Sequence, residues 1–383
     1  MVVRMYKYVM GKLIMMEKNM IYARIINMNI KVICLDAEVC EYIYRELELH
    51  ICNENSEKQN LIIDVKNRKF EVNDSLIKLG EGVYTDNKKI YICIEAFLRK
   101  TWISVNIQCE DVFNVEVYID KKNSRIKRLC APNFQFPWQN SIIDFFHGIF
   151  LWILEVYMLS YDVTLIHAAA FIYEGRKILL AADAAMGKST IVDAAVLQYK
   201  GKYIAEDYCF IDRVGNAYGL FNQRRIFSRR EECNGIEDVC NYLFFTSLAG
   251  LKLVKSNSIR IRSTSEIYTK EEIVTQKCRC EGIYLVRNET NHKSINCAAQ
   301  CAEVMTKEIN NWDGCVQLMN ALETVFPNSG IYKKFWNRLN DTIIKNISAS
   351  NMKTISIPYR KTRESFLDDF FNEMERLNNE NGN

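Results

Sequence analysis

Residues that break or loosen a chain are scarce here: 383 residues hold only 4 prolines and 15 glycines. That scarcity excludes collagen-like and Pro-rich repeats and argues against long flexible linkers. Histidine is limited to His50, His147, His167 and His292. The 14 cysteines include no CxxC pair, so the zinc-ribbon and thioredoxin signatures are missing. With so few histidines to complete a ligand set, the cysteines read as small buried hydrophobes of a reduced protein. An excess of one charge is missing too. Lys+Arg 50 against Asp+Glu 47 leaves a formal +3, too even to point to a nucleic-acid partner. The opening stretch, MVVRMYKYVMGKLIMMEKNM, carries charge throughout and lacks the apolar core and cleavage site of a secretory leader. The most membrane-like stretch, Ile142–Tyr161, is interrupted by Asp144, His147 and Glu155. Its unbroken part falls far short of the roughly 20 apolar residues a span requires. The expectation is a cytoplasmic protein with no membrane span and no nucleic-acid partner.

What is present is globular. A hydrophobic share of 49% supplies enough apolar surface to collapse, and the length allows two domains. Residues up to about 130 alternate with period two in YARIINMNIKVICL, QNLIIDVKNRKFEV, KKIYICIE, WISVNIQCE and FNVEVYID, which predicts strands. A helix is expected over Ala37–Leu49. Pro132 and Pro137 bracket APNFQFPW, a linker signal. An apolar helix is expected over 140–160, then alternating strands and helices. The fold class is therefore α/β, with a β-rich domain over 1–135 and an α/β domain over 136–383.

Chemistry concentrates in Val163–Asp212. The residues Ala182-Asp183-Ala184-Ala185-Met186-Gly187-Lys188-Ser189 match the phosphate-binding loop, with Ala182 where its first glycine stands. A β-type run, Lys177–Ala181, precedes the loop, and helical periodicity over Ser189–Gln198 follows it. Strand, loop and helix in that order aim backbone N–H groups and a positive helix end at a polyphosphate. Lys188 would reach the β- and γ-phosphates, Ser189 would ligate Mg2+, and Thr190 offers a second hydroxyl.

Two flanking segments add specificity. Glu174-Gly175 reads as a hairpin turn between Val163–Tyr173 and Arg176–Ala182. Counting outward pairs Tyr173 with Arg176 and His167 with Ala182, which brings His167 to the mouth of the loop. After the loop helix, a strand is expected over Tyr203–Asp212, carrying adjacent acids Glu206 and Asp207 between apolar residues. Neighbours on a strand face opposite ways, so the two acids should differ in role. One can hold Mg2+ and the other can take a proton from an attacking hydroxyl.

His167, the loop 182–190 and Glu206-Asp207, in this order and spacing, resemble the HPr kinase/phosphorylase and phosphoenolpyruvate carboxykinase branch of phosphate-loop proteins. The likeness is greatest to HPr-kinase-like proteins of peptide natural-product clusters, including lasso-peptide precursor kinases. Those carry a His-Ala-Ala segment like His167-Ala168-Ala169 and a paired-acid strand ending in tyrosine, like Glu206-Asp207-Tyr208. The resemblance covers about 140–383. It implies a P-loop kinase domain that moves the γ-phosphoryl of ATP to a serine hydroxyl of a peptide or small protein. It also implies that Lys188 stabilises the leaving phosphate, Ser189 and Asp207 hold Mg2+, His167 orients or charge-stabilises the reacting groups, and Glu206 with Asp207 divides metal binding from base catalysis. Glu206 stands where the family usually has Asp. Assembly into a homo-oligomer is compatible with this reading. A nucleotide-binding regulatory module without transfer, and a phosphotransferase acting on a small molecule, are the alternatives.

Overall fold

The computed structural model describes residues 20–53, 58–96, 99–107, 112–121, 137–182, 186–220, 224–228, 258–288, 313–327, 330–348, 352–357 and 362–379. They belong to a mixed α/β protein with several sheets, divided into two compact units. The first unit draws on residues 1–153, 221–267 and 313–327, the second on 154–220, 268–312 and 328–383.

The first unit opens with a hairpin, β1 (Met20–Ile25) and β2 (Met28–Cys34). One strand was expected over 22–35, but the chain reverses at Ile26-Asn27, with Ile25 opposite Met28. Ile26 takes φ +54°, a conformation that β-branched residues seldom adopt, so its apolar side chain disguised the turn. Asp36 then starts α1 (Ala37–Leu47): its Oδ1 accepts the Glu38 and Val39 N–H groups, each at 3.1 Å. A 3-10 turn, Glu48–His50, ends the helix.

Six more strands complete the sheet: β3 (Leu61–Lys66), β4 (Ile77–Gly80), β5 (Val83–Thr85), β6 (Lys89–Ala96), β7 (Arg99–Asn106) and β8 (Phe113–Tyr118). Their order is β1-β2-β3-β8-β7-β6-β5-β4, with β2, β3 and β8 parallel and every other pair antiparallel. The strands β4 and β5 were not anticipated, because polar residues and glycines crowd that segment. Alternation sets the two faces of the sheet. Leu61, Ile63, Val115, Val117, Ile103, Val105, Ile90 and Ile92 are buried on one. On the other, Tyr91, Trp102 and Tyr118 gather round Phe70, with centroids 5.0, 4.7 and 4.9 Å from its ring.

Of the expected linker, residues 131–136 lie outside the described residues, and Pro137 opens α2 (Pro137–Phe145) at a position that suits proline. A π-helical turn, Phe146–Phe150, carries α2 into α3 (Leu151–Leu159). The stretch Trp138–Leu159 is long and apolar enough to cross a membrane by length and composition, and most of it is buried inside the protein.

The second unit contains β9 (Thr164–Ile166), β10 (Ala168–Tyr173), β11 (Arg176–Ala182), α4 (Lys188–Leu197), β12 (Lys202–Ala205), β13 (Cys209–Ile211) and β14 (Asn216–Gly219). The chain then contributes a ribbon to the first unit, β15 (Arg224–Ser228) against β16 (Ser258–Arg262). Back in the second unit come β17 (Cys278–Arg279) and β18 (Gly282–Asn288). The first unit takes α5 (Asp313–Val325), and the second ends with α6 (Ile331–Ser348), β19 (Met352–Ile357) and α7 (Arg363–Asn379).

Five of these strands form a sheet in the order β12-β10-β11-β18-β19, in which β11, β18 and β19 run parallel. Leu179, Leu180, Ala181, Ile283, Leu285 and Val286 are all buried, as strands covered on both faces demand. The β10–β11 turn has the expected pairing of Tyr173 with Arg176, with Glu174 at φ +48° and Gly175 at φ +77°. Two positive φ values are what a type I′ turn needs.

The long strands expected over 163–173 and 203–212 are each broken in two. The pieces β9 and β13 pair with each other in a separate sheet, β17-β14-β13-β9, while β10 and β12 stay in the first. Strands that bend to change sheets make corners, and both bends fall at the same level. Buried polar groups hold the corner strands. Glu155 on α3 accepts Thr164 Oγ1 at 2.9 Å and the Leu165 N–H at 2.5 Å. Asn346 on α6 donates to the carbonyls of Asp162 (3.1 Å) and Ile211 (2.9 Å).

Candidate functional site

The site is built on the double bend. One ladder ends with Ala170 opposite Ala205, and the next begins with Ile166 opposite Cys209. Between them His167-Ala168-Ala169 runs beside Glu206-Asp207-Tyr208, and the His167 and Tyr208 rings lie 5.6 Å apart, centroid to centroid. On its other side β10 pairs with β11 as far as Ala168 opposite Ala181. The chain bends at His167, so the ladder stops one pair short of the counted His167–Ala182 partnership. The histidine nevertheless stands at the end of β11, where the loop begins.

Asp183, Ala184 and Ala185 lie outside the described residues. On the far side of them Met186 is half-buried, and Gly187 adopts φ +85° before the first turn of α4. That conformation favours glycine. Space at this position is also closed: a Cβ there would come within 2.9 Å of the Phe366 ring. Lys188 is buried, and its Nζ donates to the Ala182 carbonyl at 2.9 Å. The lysine thus spans the loop, from the first helical residue back to the last strand residue. Among the described residues no side chain caps the amino end of α4, where the helix dipole is positive. Ser189 and Thr190 in that first turn are half-buried.

Electrostatics separates the titratable groups. His167 is 7% exposed, and its Nδ1 has no hydrogen-bond partner among the described residues. Burial, reinforced by the nearby Lys188 charge, pushes its pKa down to about 3. The imidazole is therefore neutral near pH 7, able to accept or orient but not to act as a cation. Glu206 is buried, whereas Asp207 is exposed. The Tyr208 N–H donates to the Glu206 carbonyl at 2.7 Å, closing a three-residue turn around Asp207 at φ +61°. Such a turn is rare and strained. The acids stand in different environments, but a bend separates them, not the regular alternation of a strand.

Among the described residues no group of three or more His, Cys, Asp or Glu forms a cage for a metal ion. A hydroxyl and one carboxylate still suit Mg2+, which takes most of its ligands from water and phosphate. Two contributors were not assigned a role from local sequence. Phe366 reaches the loop from a helix nearly 180 residues away, a contact that only tertiary packing reveals. Glu155 was visible only as a charge interrupting an apolar run.

No family model matches the chain, and no curated protein matches it either. Among solved structures, one match is the Hpr(Ser) kinase/phosphatase from Coxiella burnetii, 9% identical over 35% of this chain, with a TM-score of 0.19. The chain spans 65% of that protein's length. A likeness at that level carries neither fold nor activity across.

Proposed function

We propose that this protein is an ATP-dependent, Mg2+-requiring kinase acting on a Ser or Thr hydroxyl of a peptide or small protein. One observation carries the reading: a Gly187-Lys188-Ser189 helix start at the end of β11, with His167 and Glu206-Asp207 at the adjoining sheet corner. The positive end of α4, without a side-chain cap among the described residues, the left-handed glycine and the buried lysine suit a triphosphate. The Nδ1 of His167, which has no partner among the described residues, gives a buried acceptor or, in the other tautomer, a donor for a substrate group.

In this reading Lys188 leaves the Ala182 carbonyl and turns to the β- and γ-phosphates. The acceptor oxygen bonds to the γ-phosphorus as the bond to the β–γ bridging oxygen breaks, and the hydroxyl proton passes to one of the two carboxylates. ADP leaves with the electron pair of the broken bond. Ser189 and Asp207 would hold Mg2+, whose chemistry is to neutralise charge on the phosphate oxygens. The buried Glu206 is better sheltered for proton transfer, and the neutral His167 orients reacting groups by hydrogen bonding. Residues 136–383 would carry catalysis in the cytoplasm, and residues 1–135 would recognise the acceptor.

Incubation with γ-labelled ATP, Mg2+ and candidate peptides encoded by neighbouring genes tests the proposal. Label should appear on a Ser or Thr of one peptide, and Lys188→Ala should lower its rate by about a hundredfold or more. Tight nucleotide binding without transfer to any acceptor would instead support a regulatory nucleotide-binding module.

A further inference from the structure

The last helix, α7, has its own place at the loop. It follows β19, which is parallel to β11 through β18, so both strands end on the same side of the sheet. Ligands of open α/β sheets bind beyond those carboxyl ends. Thr362 starts α7, its carbonyl accepting the Phe366 N–H at 3.0 Å and its hydroxyl the Ser365 N–H at 3.3 Å. Phe366 is thereby set in the first turn, with its ring against Gly187.

The rest of α7 is tied down independently. Phe371 packs on Tyr173 and Tyr199, each at 4.7 Å between centroids. The Tyr173 hydroxyl donates to Glu375 at 3.0 Å, and Lys353 Nζ donates to the Leu377 carbonyl at 3.0 Å. These anchors fix the middle and end of the helix on the hairpin and on β19. The aromatic ring at its start is consequently held against the one described loop residue with a left-handed backbone.

We infer that Phe366 is a positioning residue for the phosphate loop: α7 acts as a clamp, and its ring fixes Gly187 and the helix start at Lys188. The inference rests on the nucleotide-binding reading of the loop. Gly187 is then required twice over, by its φ and by the ring. Displacing a phosphate-binding amide by a fraction of an ångström costs affinity without unfolding anything.

Nucleotide binding by wild type, Phe366→Ala, Phe366→Leu and Lys188→Ala should be measured with a fluorescent ATP analogue and Mg2+. Amide hydrogen exchange over 186–191 and melting without nucleotide complete the set. Phe366→Ala should weaken binding about tenfold and speed exchange at the loop, with little change in melting; Phe366→Leu should restore most of both. Wild-type affinity and unchanged exchange in Phe366→Ala would overturn the clamp while leaving the kinase reading intact. Absence of nucleotide binding in wild type would overturn that reading, and the exchange data would then decide whether the ring restrains the loop at all.

Discussion

Asp207 occupies a backbone conformation that resists its side chain, at φ +61° inside a turn closed by a 2.7 Å hydrogen bond. Strain of this sort costs on the order of 1–3 kcal/mol and collects where function needs it. Asp207→Gly should therefore raise the unfolding free energy by about 0.5–1 kcal/mol, while weakening Mg2+-dependent nucleotide binding. Asp207→Asn, which tolerates the same φ without charge, should leave stability almost unchanged and weaken binding equally. Urea unfolding paired with nucleotide titration reads both effects, and unaltered binding in the two variants would remove Asp207 from the proposed metal site. Much at this scale was legible in sequence. Lys188 stood out by the loop motif, His167 by its counted register against that loop, and Glu206 by its apolar flanks. The strain at Asp207 was not legible, since a bend inside an apolar run leaves no compositional mark.

The helix α3 carries a carboxyl that the fold prefers uncharged. Burial raises the Glu155 pKa from its ordinary 4.5 to about 8, against the lowering effect of the Leu165 amide and the Thr164 hydroxyl. Below pH 4.5 the group is protonated both folded and unfolded and carries no penalty. The penalty grows as pH rises and is complete above about 8. Glu155→Gln keeps the shape without the charge. It should gain little at pH 5 and stabilise the fold by a few kcal/mol at pH 9, at about 1.4 kcal/mol per unit of pKa shift. Denaturant unfolding at pH 5, 7 and 9 checks this; a gain equal at all three would contradict it. Among elements, the Glu174-Gly175 hairpin was readable because Gly175 suits positive φ and the polar pair separates two apolar runs. The β1–β2 turn was hidden by Ile26. The sheet change at His167 was hidden by the run of small apolar residues Ala168–Ala170, which continues the pattern through the bend.

At the scale of the whole molecule, the β-rich opening and the strand–loop–helix segment were both visible from periodicity and motif. Invisible were the returns of residues 221–267 and 313–327 to the first unit, because such contacts depend on tertiary packing and not on local composition. Every described residue of the candidate site belongs to the second unit, as do Phe366 and Glu155. That unit brings a loop glycine, a buried lysine, a neutral histidine and two unlike carboxylates to the ends of a few strands. The phosphoryl transfer we propose would use all of them. The most direct measurement is therefore transfer from γ-labelled ATP to peptide acceptors by wild type and by Lys188→Ala, with Mg2+. The account predicts label on a peptide Ser or Thr with wild type and almost none with the variant; transfer by Lys188→Ala at the wild-type rate would contradict it.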